Sequence, residues 1–478
     1  MPPHPVKNCL QALTAALGTD AVCTGNSIDA RYQTDWSGAA AVQPLALLRP
    51  RNTDEVATAM RICHQHRIAV VPQGGMTGLA GGAVPLLDAA SLSLERCNAL
   101  APVDTAEATL TVGAGVTLQT VQETALAAGF VFGMDLGARG SCQIGGNLAT
   151  NAGGNGVVQF GMMREQVLGL EVVLADGTIL PMLRPMRKNN TGYDLKQWFI
   201  GSEGTLGIIT RATLQLRPAP QAKCTALLGL ADYASAIRLL RRIQASFPGA
   251  LAAFELMWDD FFCASLQWQK IASPFSQTYP LTVLIEVTGQ QDTQLADALQ
   301  DHLAQAMSQG EIQDAVLAQS QAQARTLWQI RELTAEFSAH ITPINFDVSL
   351  PIEHIGDFST DCKRALSQRW PNQRTLRFGH LGDGNLHLTT DANSLDTAID
   401  TAQLVHAVEE IVYGLLAQRG GSVSAEHGIG THKKNYLSVS RTPQELAAMR
   451  AIKNALDPLN LLNPGRIFDP LSDTKGVL

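Results

Sequence analysis

Two histidines, His380 and His387, frame an Asp-Gly dipeptide in the run HLGDGNLH. Asp-Gly between alternating apolar residues predicts a two-residue hairpin turn, which pairs His380 with His387 across two antiparallel strands. Residues opposed in this way place their Cβ atoms about 5 Å apart on one face of a sheet. Both imidazoles can then bind one metal ion, although a lone histidine is more often structural.

A third candidate ligand lies in SAEHGIGTHKK, residues 424–434, where Glu426 precedes His427. Two histidines and one carboxylate leave an open coordination position, which a substrate-activating ion needs. A solvated helix end is the structural alternative for this Glu-His pair.

Glycine-rich segments predict a second kind of site. Residues 134–156 read MDLGARGSCQIGGNLATNAGGNG, with seven glycines and no amphipathic period, and residues 72–85 form another glycine-rich run after a predicted strand. Glycine lets the backbone approach another molecule closely, and successive amides form nests that bind anions. We therefore expect an irregular cradle for a polyanionic ligand, with a flexible surface loop as the alternative.

These features leave three classes of function open. They are a metal-assisted flavin or nucleotide redox enzyme, a metallohydrolase with phosphate-binding loops, and a nucleotide-binding regulatory module with a structural metal. Residues 110–128 imitate a dinucleotide fingerprint, but Leu118 stands where the third glycine belongs and no acidic residue follows about twenty positions on. This segment therefore argues against a Rossmann fold.

Composition narrows the class of protein. The chain has 478 residues and a formal net charge of −8, which predicts two or three domains and argues against nucleic-acid binding. The eight cysteines include no CxxC pair, so we expect reduced thiols in a cytoplasmic protein. We find neither a signal-peptide pattern nor an apolar run long enough for a membrane span.

The predicted secondary structure changes in character along the chain. Pro218 and Pro220 mark a boundary, after which helices alternate with strand-like runs and predict an α+β domain with an antiparallel sheet. The predicted strands are 68–71, 110–112, 167–174, 179–182, one ending at 216, 281–287, 345–350, 376–380 and 386–389. The predicted helices are 10–17, one capped by Thr53, 118–128, 233–247, 293–308, 324–338, 352–369, 396–418 and 444–456.

The motifs together resemble one family. The runs PQGGMTGLAGG, GARGSCQIGGNLATNAGG, GYDLKQWFIGSEGTLGIIT, GHLGDGNLH, EHGIG and LDPLNLLNPGRIF resemble, in order, those of FAD-dependent D-2-hydroxy-acid dehydrogenases. This family includes D-2-hydroxyglutarate and D-lactate dehydrogenases of the vanillyl-alcohol-oxidase fold group. The resemblance implies an α+β protein with a two-part PCMH-type FAD-binding domain (1–219). A cap domain carrying the metal hairpin (220–425) and a C-terminal segment returning to the flavin (426–478) would follow.

The resemblance also implies roles for individual residues. His380, His387 and Glu426 would bind zinc or manganese. Asn385 and His427 would contact the substrate, with His427 as general base, and Arg331 would clamp a substrate carboxylate. Hydride would pass from the substrate to flavin N5.

FAD is expected to bind non-covalently, because Met76 stands where covalently flavinylated relatives carry a histidine. The implied FAD-binding residues are Gln73, Gly74, Gly75, Met76, Thr77, Gly78, Gly140, Ser141, Gly145, Gly146, Asn147, Asn151, Gly153, Gly154, Glu203, Gly204, Ile209 and Asn463.

Two positions depart from the D-2-hydroxyglutarate dehydrogenases. Ala335 replaces a threonine and Asn345 replaces a lysine, both of which serve the distal carboxylate, so a monocarboxylic substrate, or a diacid bound in a different way, is slightly favoured. The expected partners are a small 2-hydroxy acid and an electron acceptor such as an electron-transfer flavoprotein, a quinone or a cytochrome. The oligomeric state stays open, with a homodimer as one option.

Two alternative functions remain. They are a redox-neutral, alkyl-transferring ether-lipid synthase and a metallohydrolase.

Overall fold

The computed structural model describes residues 5–395 and 400–469, which form two compact units. The first unit takes its described residues from Met1–Gly154, Gly161–Ala219 and Glu426–Leu478, and the second from Asn155–Phe160 and Pro220–Ala425. Each unit combines helices with sheets that contain antiparallel pairs, which confirms the predicted α+β class.

The strands in chain order are β1 (Val22–Cys23), β2 (Ala46–Leu48), β3 (Ala69–Gln73), β4 (Ala89–Ser93), β5 (Thr109–Gly113), β6 (Phe130–Val131), β7 (Val167–Val173), β8 (Ile179–Met182), β9 (Ile208–Gln215), β10 (Arg217–Pro218), β11 (Ala222–Leu230), β12 (Leu251–Trp258), β13 (Leu281–Gly289), β14 (Asp314–Leu317), β15 (Pro343–Ser349), β16 (Thr375–His380) and β17 (Asn385–Asp391). The helices are α1 (Pro5–Leu17), α2 (Thr53–His66), α3 (Leu118–Ala127), α4 (Ile144–Ala149), α5 (Val157–Phe160), α6 (Lys196–Phe199), α7 (Tyr233–Ser246), α8 (Asp259–Gln269), α9 (Asp292–Ser308), α10 (Gln321–Arg331), α11 (Phe337–His340), α12 (Ile352–Arg369), α13 (Thr401–Ala417), α14 (Leu437–Ser440) and α15 (Pro443–Leu456).

The first unit contains two four-stranded sheets. One has the order β1-β2-β4-β3, with β4 parallel to both of its neighbours, and the other has the order β5-β9-β7-β8 with antiparallel pairing throughout. Because β5 pairs antiparallel with β9, residues 110–128 do not open a parallel Rossmann unit.

The predicted cap of α2 was wrong by one residue, since the side chain of Asn52 accepts a hydrogen bond from the Glu55 amide at 2.9 Å.

The second unit is built on a seven-stranded antiparallel sheet of order β14-β11-β13-β12-β16-β17-β15. Helices α8 and α10 cover one face through an aromatic core that includes Phe261 and Phe378. Helix α12 packs on the opposite face, where Arg377 donates to Ser359 Oγ at 3.3 Å. The sequence analysis missed β11, β12 and β14, because β11 and β12 are buried along almost their whole length and lack a clear polar alternation.

Several predicted helix limits differ from the structure. The predicted helix 324–338 was wrong in its second half, since α10 ends at Arg331 and a 3₁₀ turn at Leu333–Glu336 separates it from α11. The helix 352–369 is confirmed as α12. Residues 396–399 of the predicted helix 396–418 lie outside the described residues, and α13 begins at Thr401.

Candidate active site

The two glycine-rich segments of the first unit lie against each other. A Cβ atom on Gly75 would come within 2.0 Å of the Ser141 carbonyl oxygen, so this approach requires glycine. Residues 144–149 of the predicted cradle form α4, which has no amphipathic signal in the sequence. A Cβ atom on Gly146, inside this helix, would meet no described heavy atom within 4 Å. The cradle is therefore tightly packed at Gly75 and open beside Gly146.

Three buried amide oxygen atoms are among the first-unit side-chain oxygens that have no hydrogen-bond partner within the described part of the chain. They are Gln73 Oε1, Gln143 Oε1 and Asn463 Oδ1. The orientation of the Gln73 side-chain amide is fixed by its nitrogen. Nε2 donates to the carbonyl oxygens of Tyr32 and Ala83 at 2.9 and 3.0 Å. Buried acceptors of this kind need donors, which the hydroxyl, amino and ring N–H groups of FAD can supply. The first unit therefore fits FAD.

The C-terminal tail joins the same region through Asn463. Its backbone amide donates to the carbonyl oxygen of Val70 at 2.8 Å. Its side-chain nitrogen donates to the carbonyl oxygens of Gly82 and Glu203 at 3.0 and 2.8 Å. One asparagine thus ties the tail to β3, to the first glycine-rich run and to the turn at Glu203.

Glu203 and Gly204 form a turn with positive φ values of 53° and 70°. The Glu203 carboxylate accepts hydrogen bonds from the backbone amides of Ile429 and Gly430, each at 2.7 Å. Burial raises the pKa of this carboxyl group above its usual range. Ile209 is a core residue of β9. Their predicted contacts with FAD stay predictions.

Two further predicted cradle residues, Asn151 and Gly153, contact other parts of the first unit. Asn151 Oδ1 accepts from the Arg164 amide at 2.9 Å. A Cβ atom on Gly153 would come within 2.5 Å of Glu426 Oε1, so the Glu426 carboxylate lies over this glycine. Within the first unit, the predicted metal ligand and the predicted cofactor loop are therefore neighbours.

The sequence analysis missed Arg466, which is buried in the tail. Its Nη1 donates to the Pro464 carbonyl oxygen at 2.9 Å and its Nη2 to that of Val84, whereas its Nε has no partner within the described residues. Burial lowers the pKa of this guanidinium to about 10. In the sequence, the signal for a buried arginine was its position beside apolar residues in NPGRIF.

In the second unit, the hairpin differs from the predicted register. Phe378, and not His380, lies opposite His387, because Leu381–Asp383 forms a 3₁₀ turn that lengthens the connection. Phe378 and His380 are two residues apart on β16 and share a face. The two imidazoles therefore still lie on one face, with ring centroids 5.4 Å apart.

A buried carboxylate, Glu255, connects His380 with Arg331. Its Oε1 lies 2.8 Å from His380 Nδ1, and its Oε2 accepts from Arg331 Nε at 2.8 Å. Burial opposes the charged form of Glu255, but His380 and Arg331 together hold its pKa below the usual range. Because a carboxylate only accepts, His380 Nδ1 is the donor in this contact, and the other ring nitrogen, Nε2, lies 3.5 Å from Arg331 Nη2.

A second buried acid, Asp347, lies beside His387 and Asn385. Its Oδ1 is 3.8 Å from His387 Nδ1 and accepts from Asn385 Nδ2 at 2.8 Å. Asn385 Oδ1 is buried and has no partner within the described residues. The Asp347 carbonyl oxygen accepts from the Ala425 amide at 3.3 Å, and Glu426 and His427 follow directly in the chain.

The sequence analysis missed both Glu255 and Asp347. Each is a single acidic residue in an otherwise mostly apolar strand, LAAFELMW and PINFDVS. Because an isolated buried charge is costly, such a residue signals a partner or a ligand. The sequence could therefore have indicated that these strands face a site, without naming the partners.

Comparison with known proteins defines the class of this protein. Residues 44–182 match the family described as FAD binding domain, and residues 219–467 match FAD linked oxidases, C-terminal domain. The crystal structure of p-cresol methylhydroxylase with substrate bound aligns with a TM-score of 0.75, 16% identity and coverage of 98% of each chain, which shows a shared fold alone. The protein is an FAD-binding oxidoreductase of the PCMH type.

Relatives with higher sequence identity narrow this class. The chain is 40% identical over 436 residues to the mitochondrial D-2-hydroxyglutarate dehydrogenase of Bos taurus, covering 91% of this chain and 78% of that protein. It is 39% identical over 438 residues to the D-2-hydroxyglutarate dehydrogenase of Xanthomonas citri pv. viticola, covering 92% of each. The chain therefore belongs to the FAD-dependent D-2-hydroxy-acid dehydrogenases. Within residues 5–395 and 400–469, none of the helices has the length and apolar character of a membrane span.

Proposed function

We propose that this protein oxidises a D-2-hydroxy acid to the corresponding 2-oxo acid, using FAD and a divalent ion. The observation that carries the proposal is the grouping of buried His380 and Arg331 with partly buried His387 in the second unit, in a chain whose other unit contains an FAD-binding domain. The names of the bovine and bacterial relatives support the same class of substrate.

The proposed ligands of the ion are His380, His387 and Glu426, with zinc or manganese as the ion. The ring centroids of the two histidines are 5.4 Å apart, and with Nδ1 of His380 held at Glu255, an ion would bind Nε2 in place of its 3.5 Å contact with Arg331 Nη2. Glu426 follows Ala425 directly in the chain, and the Ala425 amide donates to the Asp347 carbonyl oxygen at 3.3 Å. Two imidazoles and one carboxylate suit these ions and leave positions for substrate.

When bound, FAD would supply the two-electron acceptor, and the ion would lower the pKa of the substrate hydroxyl group. Arg331 would bind the substrate carboxylate through its guanidinium fork. Asn385 would orient the substrate through its buried Oδ1 atom. His427 would accept the hydroxyl proton as general base. Turnover also requires an electron acceptor, for which an electron-transfer flavoprotein, a quinone and a cytochrome are the candidates.

The side chain at position 345 favours a substrate with one carboxylate. Asn345 Oδ1 accepts from Thr389 Oγ1 at 2.8 Å on the face of β15 that also carries Asp347. An amide in this place attracts a second carboxylate less than a cation does. We therefore expect D-lactate to be oxidised with a higher kcat/KM than D-2-hydroxyglutarate.

Anaerobic flavin reduction tests the proposal. Purified protein is mixed with D-lactate, D-2-hydroxyglutarate and their L enantiomers, and loss of the flavin absorbance is followed. We expect D acids alone to reduce the flavin, and His427→Ala to abolish reduction while FAD stays bound. The matched control is His354→Ala, which changes a half-exposed histidine on α12. If no D acid bleaches the flavin, the proposed activity is wrong.

A further inference from the structure

We infer that Glu255 is a positioning residue that sets the relative geometry of His380 and Arg331, and so links metal binding with substrate binding. The inference rests on the proposed function. Glu255 lies on β12 directly opposite His380 on β16, and only 1% of its surface is exposed. Arg331 reaches the same carboxylate from the last turn of α10. One side chain therefore contacts both a proposed metal ligand and the proposed carboxylate clamp.

The chemistry of both contacts requires a carboxylate. Arg331 Nε and His380 Nδ1 are both donors, and each lies 2.8 Å from a different oxygen of Glu255. Glutamine has nearly the same shape but offers one acceptor and one donor. If its NH₂ group faced Arg331 Nε, that contact would be lost. If it faced His380 Nδ1, the imidazole would have to carry its proton on Nε2, which could then not bind an ion. Because the cluster is buried, an unsatisfied donor there is costly.

The contact with His380 controls the histidine as a ligand. With Nδ1–H donated to Glu255, the ring is held in one tautomer and one orientation, and Nε2 remains the ligand atom. Hydrogen-bond partners of this kind typically change metal affinity by about 10–100-fold when they are removed.

The contact with Arg331 selects the edge of the guanidinium that meets the substrate. Glu255 occupies Nε, so a substrate carboxylate must use the end of the fork formed by Nη1 and Nη2. Nη2 is also the atom 3.5 Å from His380 Nε2. A substrate carboxylate at this end of the fork would therefore lie next to the side of His380 that would hold the ion.

The test uses Glu255→Gln, Glu255→Asp and a matched control, Glu286→Gln. Glu286 is also partly buried on this sheet. Its described hydrogen bonds are with Lys223, Thr225 and Trp328, and not with His380 or Arg331. Zinc affinity of the metal-stripped proteins is measured by competition with a chromogenic chelator. KM and kcat are measured with the D acid that reduces the wild-type flavin fastest.

We expect Glu255→Gln to weaken zinc binding by about 10–100-fold and to raise KM, with Glu255→Asp restoring part of both because it keeps two acceptor oxygens. Glu286→Gln should match wild type in both measurements. Wild-type zinc affinity and KM in Glu255→Gln would overturn the inference. Failure of both Glu255 variants to fold, with a folded control, would also overturn it, because Glu255 would then serve the sheet alone.

The double variant His380→Ala/His387→Ala separates this inference from the proposed function. If the double variant keeps zinc affinity, the proposed metal site and the role of Glu255 both fail. If it loses zinc affinity and Glu255→Gln does not, only the role of Glu255 fails. Zinc binding needs no turnover, so this comparison decides the role of Glu255 at the metal even if no D acid reduces the flavin.

Discussion

Arg331 and His380 are direct neighbours, with Nη2 of the arginine 3.5 Å from Nε2 of the histidine. The proposed carboxylate clamp therefore lies beside the proposed metal-ligand atom. The carboxylate and hydroxyl groups of a 2-hydroxy acid are on adjacent carbons, so one such molecule can reach both. This arrangement suits a chelating substrate better than a simple alcohol.

Arg331→Lys should impair substrate binding more than cofactor binding. Lysine keeps the positive charge but loses the planar fork and its two-point contact with a carboxylate. We expect KM for the D acid to rise by about tenfold or more, which corresponds to one charged hydrogen bond, with unchanged FAD content. Steady-state kinetics check this, with the exposed Arg369→Lys as control. An unchanged KM would remove Arg331 from the carboxylate site.

His380→Ala and His387→Ala should each lose the metal ion. Removing one of three protein ligands is expected to lower zinc affinity by more than about 100-fold. Elemental analysis of the purified variants gives the metal content, and anaerobic flavin reduction gives the activity. His406→Ala, on the exposed side of α13, is the control and should keep both. Full zinc content in either variant would contradict the assignment.

Chelator treatment should suppress activity reversibly. Imidazole and carboxylate ligands suit zinc and manganese, whereas magnesium and calcium prefer oxygen ligands. We expect Zn²⁺ or Mn²⁺ to restore flavin reduction in the stripped enzyme and Mg²⁺ to fail. The rate of flavin reduction, measured before and after each metal is added, checks this prediction. An enzyme that works at full rate after metal removal would have no catalytic ion.

Gly75→Ala should prevent FAD binding. The added Cβ would come within 2.0 Å of the Ser141 carbonyl oxygen, so the two glycine-rich segments must separate. Gly137→Ala is the matched control, because its Cβ would meet no described atom within 4 Å. The ratio of flavin to protein absorbance measures bound FAD. Equal ratios in the two variants would show that this close contact is not needed.

Glu95→Gln should destabilise the first unit in a pH-dependent way. Glu95 accepts from Tyr32 Oη and Arg49 Nε, each at 2.7 Å. Burial opposes its charge, but Tyr32 and Arg49 bring its pKa below the usual range. A lowered pKa in the folded state adds stability above the unfolded-state pKa, and this is lost as pH falls through the folded-state pKa.

We therefore expect a deficit of about 1–3 kcal/mol in the free energy of unfolding at neutral pH. The deficit should shrink as the pH is lowered below the ordinary carboxyl range. Urea unfolding of the Glu95→Gln variant and wild type at several pH values measures this. A deficit that is constant with pH would exclude the charge of Glu95 as its cause.

Several secondary-structure elements and the types of functional group were predictable from local sequence. The strand β8, the helix α12 and the hairpin of β7 with β8 follow from residue periodicity and turn chemistry, which involve only neighbouring residues. The types of group at the site, paired histidines and glycine-rich loops, were readable for the same reason. Local sequence therefore indicates the α+β class and the types of chemical group at the site.

Tertiary structure alone decided the register of β16 with β17 and the partners of the functional side chains. Glu255 meets His380 across 125 positions in the chain and Arg331 across 76. No local pattern encodes contacts at such separations, because they arise only when β12, β16 and α10 pack together. The sequence names groups that can bind a metal and a carboxylate, whereas burial and packing in the folded second unit determine which groups meet and at what distance.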